Sequence, residues 1–558
     1  MARATARSSA PGQLPPLFWV VLVVLAVEAV ALPWLAARLA GKNPQGVAVF
    51  DAYETRPWQF WAVLVVLVLV NVAVIVGGSV WWNRYNLNGY RAKAARMGRG
   101  RDVAELTKTP RKNAPRLGFT KTTPGLRLAD AVSGGGALWL GGEGSALVYA
   151  GPGSGKTAAL AAPMVLDSPA WAVVTGNKAD IVAITAPVRP GTKWVMDTRT
   201  ETAGQEPHWF YDPLVFITGP DPESRARKLA GIFAAATAGP EPRDGGGKHY
   251  YAGGRDWLAA LLLAAWVDGG DLLRVADWLQ TGNDQEPETI LTAHGYGGTA
   301  GTLRGFRTNP NERERGSLLA EAQKFTAWTS NNLLRRWWSP GPGRVQFDPS
   351  AFVESTDTLY LLTQKGTDPG APLTAALTNA VMTAGQTLAA AQGGRLNRPG
   401  VFVLDEAANT CPIPDLPEFY TYFRGLGMLL VTFLQTPGQG RTTWGDEPYA
   451  TLASAATVWV YAGGVKDVRD LRDLSHLVGQ HTVQEASTST SRSRNGAGSS
   501  TSTQYRDVDT LSVDDLAGLP AGLAVIIPAR GRATMGQLRY WFDTHPSRKA
   551  IKEAMNTA

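Results

Sequence analysis

Short apolar runs alternate with longer amphipathic stretches along most of the chain after residue 125. Most of these runs are continuously apolar, which is typical of strands buried on both faces of a sheet. Strands that alternate with helices predict a mostly parallel sheet with helices on its faces. We therefore predict an α/β fold. The predicted strands are Ala146–Ala150, Trp171–Gly176, Lys193–Asp197, Thr358–Thr363, Val401–Glu406, Met428–Gln435, Ala456–Gly463 and Leu523–Ala529.

Two stretches depart from this alternation. Residues 222–340 contain long helical patterns separated by Gly, Pro and Asn, so they predict an all-helical insertion within the sheet domain. Residues 485–504 are rich in serine and threonine and too polar to form a core. They predict a mobile polar loop or a weak edge hairpin.

The N-terminal region contains two apolar segments, 17–39 and 60–82, each long enough to cross about 30 Å of hydrocarbon. We predict two transmembrane helices joined by a short external loop. A cleaved signal peptide is the alternative for the first, although its apolar run is longer than a typical signal core. Basic residues precede the first segment and follow the second, which places both termini and the body of the chain in the cytoplasm.

The net charge of +7 is concentrated in one place. Between 84 and 121, eleven basic residues accompany only Asp102 and Glu105, so this stretch carries +9 and the rest of the chain −2. A basic segment beside a membrane span is explained by attraction to anionic lipid. The charge alone therefore does not indicate a nucleic-acid-binding body. The single cysteine, Cys411, excludes an internal disulfide framework and a zinc cluster built on cysteines.

A phosphate-binding loop follows the first predicted strand in the stretch YAGPGSGKT. The general pattern requires Gly, four free residues and then Gly-Lys-Ser/Thr, and Ala150 replaces the first glycine here. Its glycines let backbone N–H groups converge on phosphate oxygens at a helix N-terminus. Lys156 is predicted to reach the β- and γ-phosphates of ATP and the Thr157 hydroxyl to hold Mg²⁺. The predicted nucleotide-binding residues are Gly151, Pro152, Gly153, Ser154, Gly155, Lys156 and Thr157.

An acidic pair ends the apolar strand VFVLDE. Asp405 is predicted to orient water on Mg²⁺, and Glu406 to polarise the attacking water. Gln435, at the end of the next strand, is placed to sense the γ-phosphate or to position water; its alternative is a strand-end residue satisfied by the backbone. Arg424 lies just before that strand and is a candidate arginine finger across a subunit boundary, or a solvated arginine at a helix end.

The order of these features resembles the VirD4/TraG-type coupling ATPases of type IV secretion and conjugation. The resemblance rests on two N-terminal spans, YAGPGSGKT, TGNKADI, HWFYDPL, a helical insertion, VLDEAANTCPIPDLPEFYTYFRGLG and LQTPGQGRTTWG. It covers nearly the whole cytoplasmic body. It implies a RecA-like P-loop motor in the bacterial inner membrane, hexameric when working, that receives a relaxase bound to single-stranded DNA and delivers it to a secretion channel.

The resemblance also assigns roles by position. Lys156 and Thr157 match the nucleotide-binding pair, Asp405 and Glu406 the second acidic motif, and Gln435 the glutamine after the strand. Arg424 matches the arginine proposed to act in trans. The helical insertion is implied to help in cargo recognition. This chain lacks the extended acidic tail of some family members, which puts any partner that docks on such a tail in doubt.

Four functions compete. The first is an ATP-driven coupling protein for DNA transfer, and the second uses the same motor for protein effectors. An FtsK-like double-stranded DNA translocase is less favoured because about thirty residues after the last predicted strand cannot form a DNA-reading domain. A membrane adaptor switched by ATP is disfavoured by Glu406. The predicted organisation is a tail at 1–16, spans at 17–82, a basic linker at 83–125, nucleotide-binding parts at 126–221 and 341–545, the insertion at 222–340 and a tail at 546–558.

Overall fold

The structure, a computed structural model, describes residues 65, 69, 87–199, 206–243, 245–364, 369–493 and 496–557. It divides into two units, Met1–Ala92 and Lys93–Ala558. Apart from positions 65 and 69, the two predicted membrane spans lie outside the described residues. Within the described ranges, no helix combines the length and the hydropathy of a membrane span.

Eleven strands of the second unit form one sheet. Their order is β2-β1-β15-β14-β11-β3-β10-β9-β4-β8-β5. The seven strands from β11 to β5 are parallel, and the four on the other side pair antiparallel. These strands are β1 Gly125–Ala131, β2 Ala137–Gly141, β3 Ala146–Tyr149, β4 Ala172–Gly176, β5 Lys193–Asp197, β8 Thr358–Leu362, β9 Gly400–Leu404, β10 Met428–Leu434, β11 Val458–Tyr461, β14 Leu523–Pro528 and β15 Thr534–Gln537.

The eight runs predicted as strands are all strands of this sheet, although β14 runs antiparallel to β11. The sequence pattern missed β1, β2 and β15. β1 (GLRLADA) and β15 (TMGQ) contain polar residues and lack the continuous apolar run that marks a strand buried on both faces, whereas β2 (ALWLG) is a short apolar run that was not assigned as a strand. The sheet is thus mostly parallel with an antiparallel extension.

Helices cover both faces of the sheet. On one face Leu160 and Met164 pack with Val148 and Val403 in a buried cluster. On the other face Tyr420 donates a hydrogen bond to the Ala146 carbonyl oxygen at 2.9 Å. The helices outside the insertion are α1 Ala104–Asn113, α2 Ala162–Leu166, α3 Asp180–Thr185, α11 Pro349–Glu354, α12 Ala371–Ala391, α13 Ala407–Thr410, α14 Leu416–Leu426, α15 Pro437–Trp444, α16 Asp446–Ala455, α17 Val468–Val478, α18 Val513–Ala517, α19 Trp541–Thr544 and α20 Arg548–Thr557.

A helical segment interrupts the sheet domain between β6 (Trp209–Phe210) and β7 (Val345–Gln346). These two short strands pair in parallel, so the chain leaves and re-enters the sheet domain at one point. Trp194 of β5 packs edge-on against Trp209 at a ring-centre distance of 5.6 Å, which joins this point to the sheet. The helices of the segment are α4 Pro222–Ala238, α5 Gly245–Val267, α6 Leu272–Thr281, α7 Gln285–Ala293, α8 Gly297–Arg307, α9 Glu312–Thr326 and α10 Asn332–Trp338.

The serine- and threonine-rich stretch is neither a loop nor an edge of the large sheet. It lies in a separate two-stranded antiparallel sheet, β12 (Gln480–Ser493) with β13 (Gly496–Asp509), paired from Gln480↔Asp509 to Ser493↔Gly496. Of the two predicted alternatives for 485–504, the mobile loop was wrong, and the hairpin was right in its antiparallel pairing, although the pair is separate from the large sheet and not at its edge. Backbone pairing satisfies the N–H and C=O groups of these two strands, and threonine favours extended backbone.

The close approach of β9 to β4 depends on a glycine. Trp171, fully buried just before β4, stacks edge-on against Phe402 at a ring-centre distance of 5.2 Å. A Cβ atom at Gly400, the first residue of β9, would lie 2.0 Å from Cζ2 of the Trp171 indole. Only glycine leaves room for the indole there.

We predict that Gly400→Ala lowers the free energy of unfolding by about 1–3 kcal/mol, because the Trp171 indole must move from its packed position. Chemical denaturation of the purified protein measures this change. Gly301→Ala is the matched control, since Gly301 lies within α8 and its Cβ would meet no atom within 4 Å. This control should be neutral or stabilising by up to about 1 kcal/mol. Equal denaturation midpoints for Gly400→Ala and the wild type would contradict the packing argument.

Candidate nucleotide site

The site is built from residues that follow four adjacent parallel strands, in the order β3, β10, β9 and β4. Parallel strands end at the same edge of a sheet, so the residues after them meet there. The phosphate loop follows β3, the acidic pair follows β9 and Gln435 follows β10. The fourth strand, β4, contributes Asn177, which the sequence analysis did not single out as a site residue.

The phosphate loop is a glycine-rich turn between β3 and the helix that follows it. Gly153 and Gly155 have φ values of 77° and 79°, a region that glycine enters at little cost. The hydroxyl of Ser154 is buried and makes no hydrogen bond within the protein. The loop leads into a helix that begins with one wide turn, Thr157–Ala161, and continues as α2. This arrangement fits the phosphates of a nucleotide, which would accept hydrogen bonds from these groups.

A second glycine turn braces the phosphate loop. The Gly151 N–H donates to the Gly463 carbonyl oxygen at 2.9 Å. A Cβ on Gly464, whose φ is 88°, would lie 2.7 Å from the Cα of Gly151. The Gly463-Gly464 turn after β11 therefore sets the position of the phosphate loop by direct backbone contact.

Lys156 lies between the two acids. Its Nζ is 2.7 Å from Oδ1 of Asp405 and 3.4 Å from Oε1 of Glu406. Burial raises the pKa of Asp405, and the Lys156 charge opposes that effect. The protein thus holds a buried carboxylate pair with a cation within reach of both, which is the charge pattern expected where Mg²⁺ and phosphates bind.

The backbone at Glu406 is held in an unusual conformation. Its φ of 53° is positive, which among the described residues occurs at no other non-glycine position. Such a residue costs about 1–3 kcal/mol and persists only where its surroundings enforce it. Hydroxyls of Thr175 and Thr410 donate to the Asp405 carbonyl oxygen at 3.1 and 3.0 Å, and they secure this turn. The turn aims the Glu406 carboxylate into the cleft.

Two neutral amides hold this carboxylate from opposite sides. Gln435 Nε2 donates to Oε1 of Glu406 at 3.2 Å, and Asn177 Nδ2 donates to Oε2 at 3.1 Å. The Gln435 N–H in turn donates to Oε1 of Gln439 at 2.8 Å. The structure therefore brings Lys156, Asp405, Glu406 and Gln435 together as predicted by the sequence, and adds Asn177.

The cleft between these elements has a volume of about 460 Å³. It is lined by the phosphate loop, the acidic pair, Gln435, Asn177 and Thr157. The donors of the loop, the Lys156 cation, the Thr157 hydroxyl and the Asp405 carboxylate line one cleft, and this set fits a nucleoside triphosphate with Mg²⁺. Lys156 and the loop would hold the phosphates, and Thr157 with Asp405 would hold the metal ion.

Arg424 lies at a different edge of the sheet. It is in the last turn of α14, just before β10 begins, and therefore at the amino ends of the parallel strands. There it lines a second cavity of about 450 Å³ together with Glu105, Trp139 and Arg530. Arg424 therefore does not take part in the phosphate site of its own chain, and its action on a neighbouring subunit stays a prediction.

Part of this chain matches a known protein family, and its fold matches solved structures. Residues 399–521, which include the acidic pair and Gln435, match the family described as the TraM recognition site of TraD and TraG. This match supports the resemblance to TraG/VirD4-type coupling proteins. No curated protein sequence matches the chain.

Solved structures share the fold of this chain. The chain is similar to the bacterial conjugative coupling protein TrwBdeltaN70 in an unbound monoclinic form, with a TM-score of 0.51 and 16% identity over 71% of this chain and 84% of that one. It is also similar to the plasmid coupling protein TrwB in complex with ADP and Mg²⁺, with a TM-score of 0.52 and 17% identity over 71% and 85% of the two chains. A complex of TrwB with a non-hydrolysable GTP analogue gives a TM-score of 0.52 at 16% identity, again over 71% and 85%.

The sequence pattern missed two features of this site. Asn177 stands in the stretch TGNKADI, directly after a predicted strand, so its position at a strand end was the available signal. The glycine pair at 463 and 464 follows another predicted strand. Both act through contacts between strands that are distant in sequence, and neither contact follows from local pattern.

We predict that Gly464→Ala weakens binding of MgADP by about tenfold or more, because the new Cβ would displace the Gly151 backbone and strain a residue with positive φ. Isothermal titration calorimetry with MgADP measures the affinity. Gly479→Ala is the matched control: Gly479 also has positive φ, but its Cβ would meet no atom within 4 Å. The control should lose stability and keep its MgADP affinity. An unchanged affinity in Gly464→Ala would exclude the bracing role.

Proposed function

We propose that this chain is a membrane-anchored coupling ATPase that recruits a relaxase–DNA complex and drives single-stranded DNA through a type IV secretion channel. The observation that carries the proposal is the convergence of Lys156, Asp405, Glu406 and Gln435 at one sheet edge, in a chain whose residues 399–521 match the TraM recognition family. The nucleotide is ATP with Mg²⁺.

Each residue of the cleft has a role in the proposed reaction. The phosphate loop and Lys156 bind and orient the triphosphate, and Mg²⁺, when bound, neutralises charge that develops on the phosphate oxygens. Asp405 and Thr157 hold the metal ion. Glu406 accepts a hydrogen bond from the attacking water and takes its proton. Gln435 keeps the Glu406 carboxylate in place through its 3.2 Å hydrogen bond.

The proposed location and partners are argued from parts of the chain outside the nucleotide cleft. The apolar segments 17–39 and 60–82 anchor the protein in the inner membrane, and the basic linker binds anionic lipid. The body lies in the cytoplasm. The helical segment 222–340 contributes to recognition of cargo, and residues 399–521 carry a surface for a relaxosome protein of the TraM class. Working assemblies are hexameric rings.

The central test measures ATP hydrolysis by the full-length protein in detergent or lipid discs, with and without single-stranded DNA. We expect turnover that single-stranded DNA stimulates. Lys156→Ala should lose nucleotide binding, and Glu406→Gln should keep MgADP binding while its turnover falls at least about a hundredfold, because the general base is lost. Turnover that survives both substitutions would contradict the assignment of the site.

Cargo is tested in donor cells. Lys156→Ala at normal expression should abolish plasmid transfer to recipient cells. Normal transfer with loss of protein secretion would instead support the coupling ATPase for protein effectors. Stimulation of turnover by double-stranded DNA alone would support an FtsK-like translocase, and binding of ATP without hydrolysis would support a switched adaptor.

A mixing experiment tests Arg424 in trans. Arg424→Ala and Lys156→Ala subunits should each be inactive alone, whereas mixed rings should regain part of the ATPase activity. The intact phosphate site of one subunit would then receive Arg424 from its Lys156→Ala neighbour. Mixtures of Lys156→Ala with Glu406→Gln are the control, since both of these subunits lack a working site. Full activity of Arg424→Ala alone, or no recovery on mixing, would contradict the role.

A further inference from the structure

Asn177 lies level with Glu406 because of strand register. Strand β4 pairs with β9 in parallel, with Thr175 opposite Leu404. Asn177 lies two residues after Thr175, and Glu406 lies two residues after Leu404, so the two residues follow paired positions of neighbouring strands. The amide of Asn177 therefore meets the Glu406 carboxylate from the β4 side, opposite to Gln435, which follows β10.

The two oxygens of Glu406 are held differently. Oε1 accepts from both Gln435 and Lys156, at 3.2 and 3.4 Å, whereas Oε2 accepts from Asn177 at 3.1 Å. Lys156 is the residue that the phosphates of a nucleotide engage, so its contact with Oε1 is the one that nucleotide binding replaces. The amide donors on the two sides do not depend on Lys156.

The Glu406 carboxylate determines which end of the Asn177 amide faces it. An ionised carboxylate only accepts hydrogen bonds, so the Asn177 side chain must present its nitrogen to Oε2. Donors on both oxygens fix the plane of a carboxylate as well as its position. The left-handed backbone at Glu406 fixes the Cα–Cβ direction, and the two amides then fix the rotation about the remaining side-chain bonds.

We infer that Asn177 is a positioning residue for ATP hydrolysis, which orients the Glu406 carboxylate toward the attacking water through its hydrogen bond to Oε2. The inference rests on the proposed function. Asn177 acts through Glu406 and not on the nucleotide, so its loss affects the chemical step and leaves nucleotide affinity unchanged. This separates its role from that of Lys156, which binds the phosphates.

Steady-state ATP hydrolysis by the full chain tests the inference. Asn177→Ala should lower kcat about tenfold or more, the size expected for a lost hydrogen bond to a charged group, with KM and MgADP affinity within about twofold of the wild type. Asn177→Asp has the same shape but lacks the amide N–H donor and places a second negative charge beside Oε2. Its kcat should therefore fall further than that of Asn177→Ala. An Asn177→Ala or Asn177→Asp enzyme with wild-type kcat, or with a raised kcat, would overturn the inference.

A double-mutant comparison shows whether Asn177 acts through Glu406. When Glu406→Gln has already removed the general base, adding Asn177→Ala should cause no further loss of kcat. A further loss equal to that in the wild-type background would show that Asn177 acts independently, and would overturn the inference.

Asn283→Ala is the matched control. Asn283 Nδ2 donates to Oε2 of Glu286 at 3.2 Å, so it forms the same kind of amide–carboxylate pair at an exposed place in the helical segment. Its removal should leave kcat unchanged, and an equal loss there would overturn the specific role of Asn177. Absence of wild-type turnover, or full activity of Lys156→Ala, would overturn the proposed function together with the inference. Wild-type turnover that Lys156→Ala abolishes and Asn177→Ala leaves intact would overturn the inference alone.

Discussion

Parallel pairing of β3, β10, β9 and β4 is the constraint on which the site depends. Because these strands run in one direction, the residues that follow them meet at one edge, and each strand contributes a different chemical group. β9 lies between β10 and β4, so the acidic pair is central. A change in strand order would separate Glu406 from one of its two amide donors, even if every strand kept its own sequence.

Charge balance explains why the buried acids are tolerated. Two carboxylates at the end of a buried strand would repel each other and lose hydration, which is costly without a compensating charge. Lys156 contacts both, while Asn177 and Gln435 satisfy Glu406 with neutral donors. Lys156 can engage either these acids or the phosphates of a nucleotide, because both are anionic. The site is thus arranged for an anionic ligand and a cation together.

The helical segment leaves and re-enters the same framework at one point, and its first helix also contacts the sheet domain, where Lys228 Nζ lies 2.9 Å from Oδ2 of Asp415. The pairing of β6 with β7 closes a loop of more than a hundred residues, and Trp194 and Phe347 pack edge-on at 5.2 Å beside that closure. Long insertions cost little stability when their ends are held together, because loop-closure entropy grows slowly with length. The sheet domain can therefore carry a large helical segment without disturbing the parallel strands that build the site.

Local pattern alone determined the strands, the phosphate loop and the acidic pair. Continuous apolar runs report burial on both faces, and the glycine-lysine-threonine spacing reports phosphate binding within a few residues. The same pattern missed β1 and β15, which contain polar residues, and also the short apolar strand β2. It left a mobile loop and a hairpin both open for the 485–504 stretch, because composition indicates whether a segment can be buried but not whether its backbone pairs with itself.

The tertiary structure alone decided which residues surround Glu406 and where Arg424 lies. Leu404 pairs with Thr175 on one side and Thr432 on the other, and these partners come from distant parts of the chain. Strand order and register arise from packing of whole faces, so no short window of sequence contains them. The sequence therefore determined the chemical groups of the site, and long-range strand pairing determined that Asn177 and Gln435 hold Glu406 between them while Arg424 lies at the opposite ends of the strands.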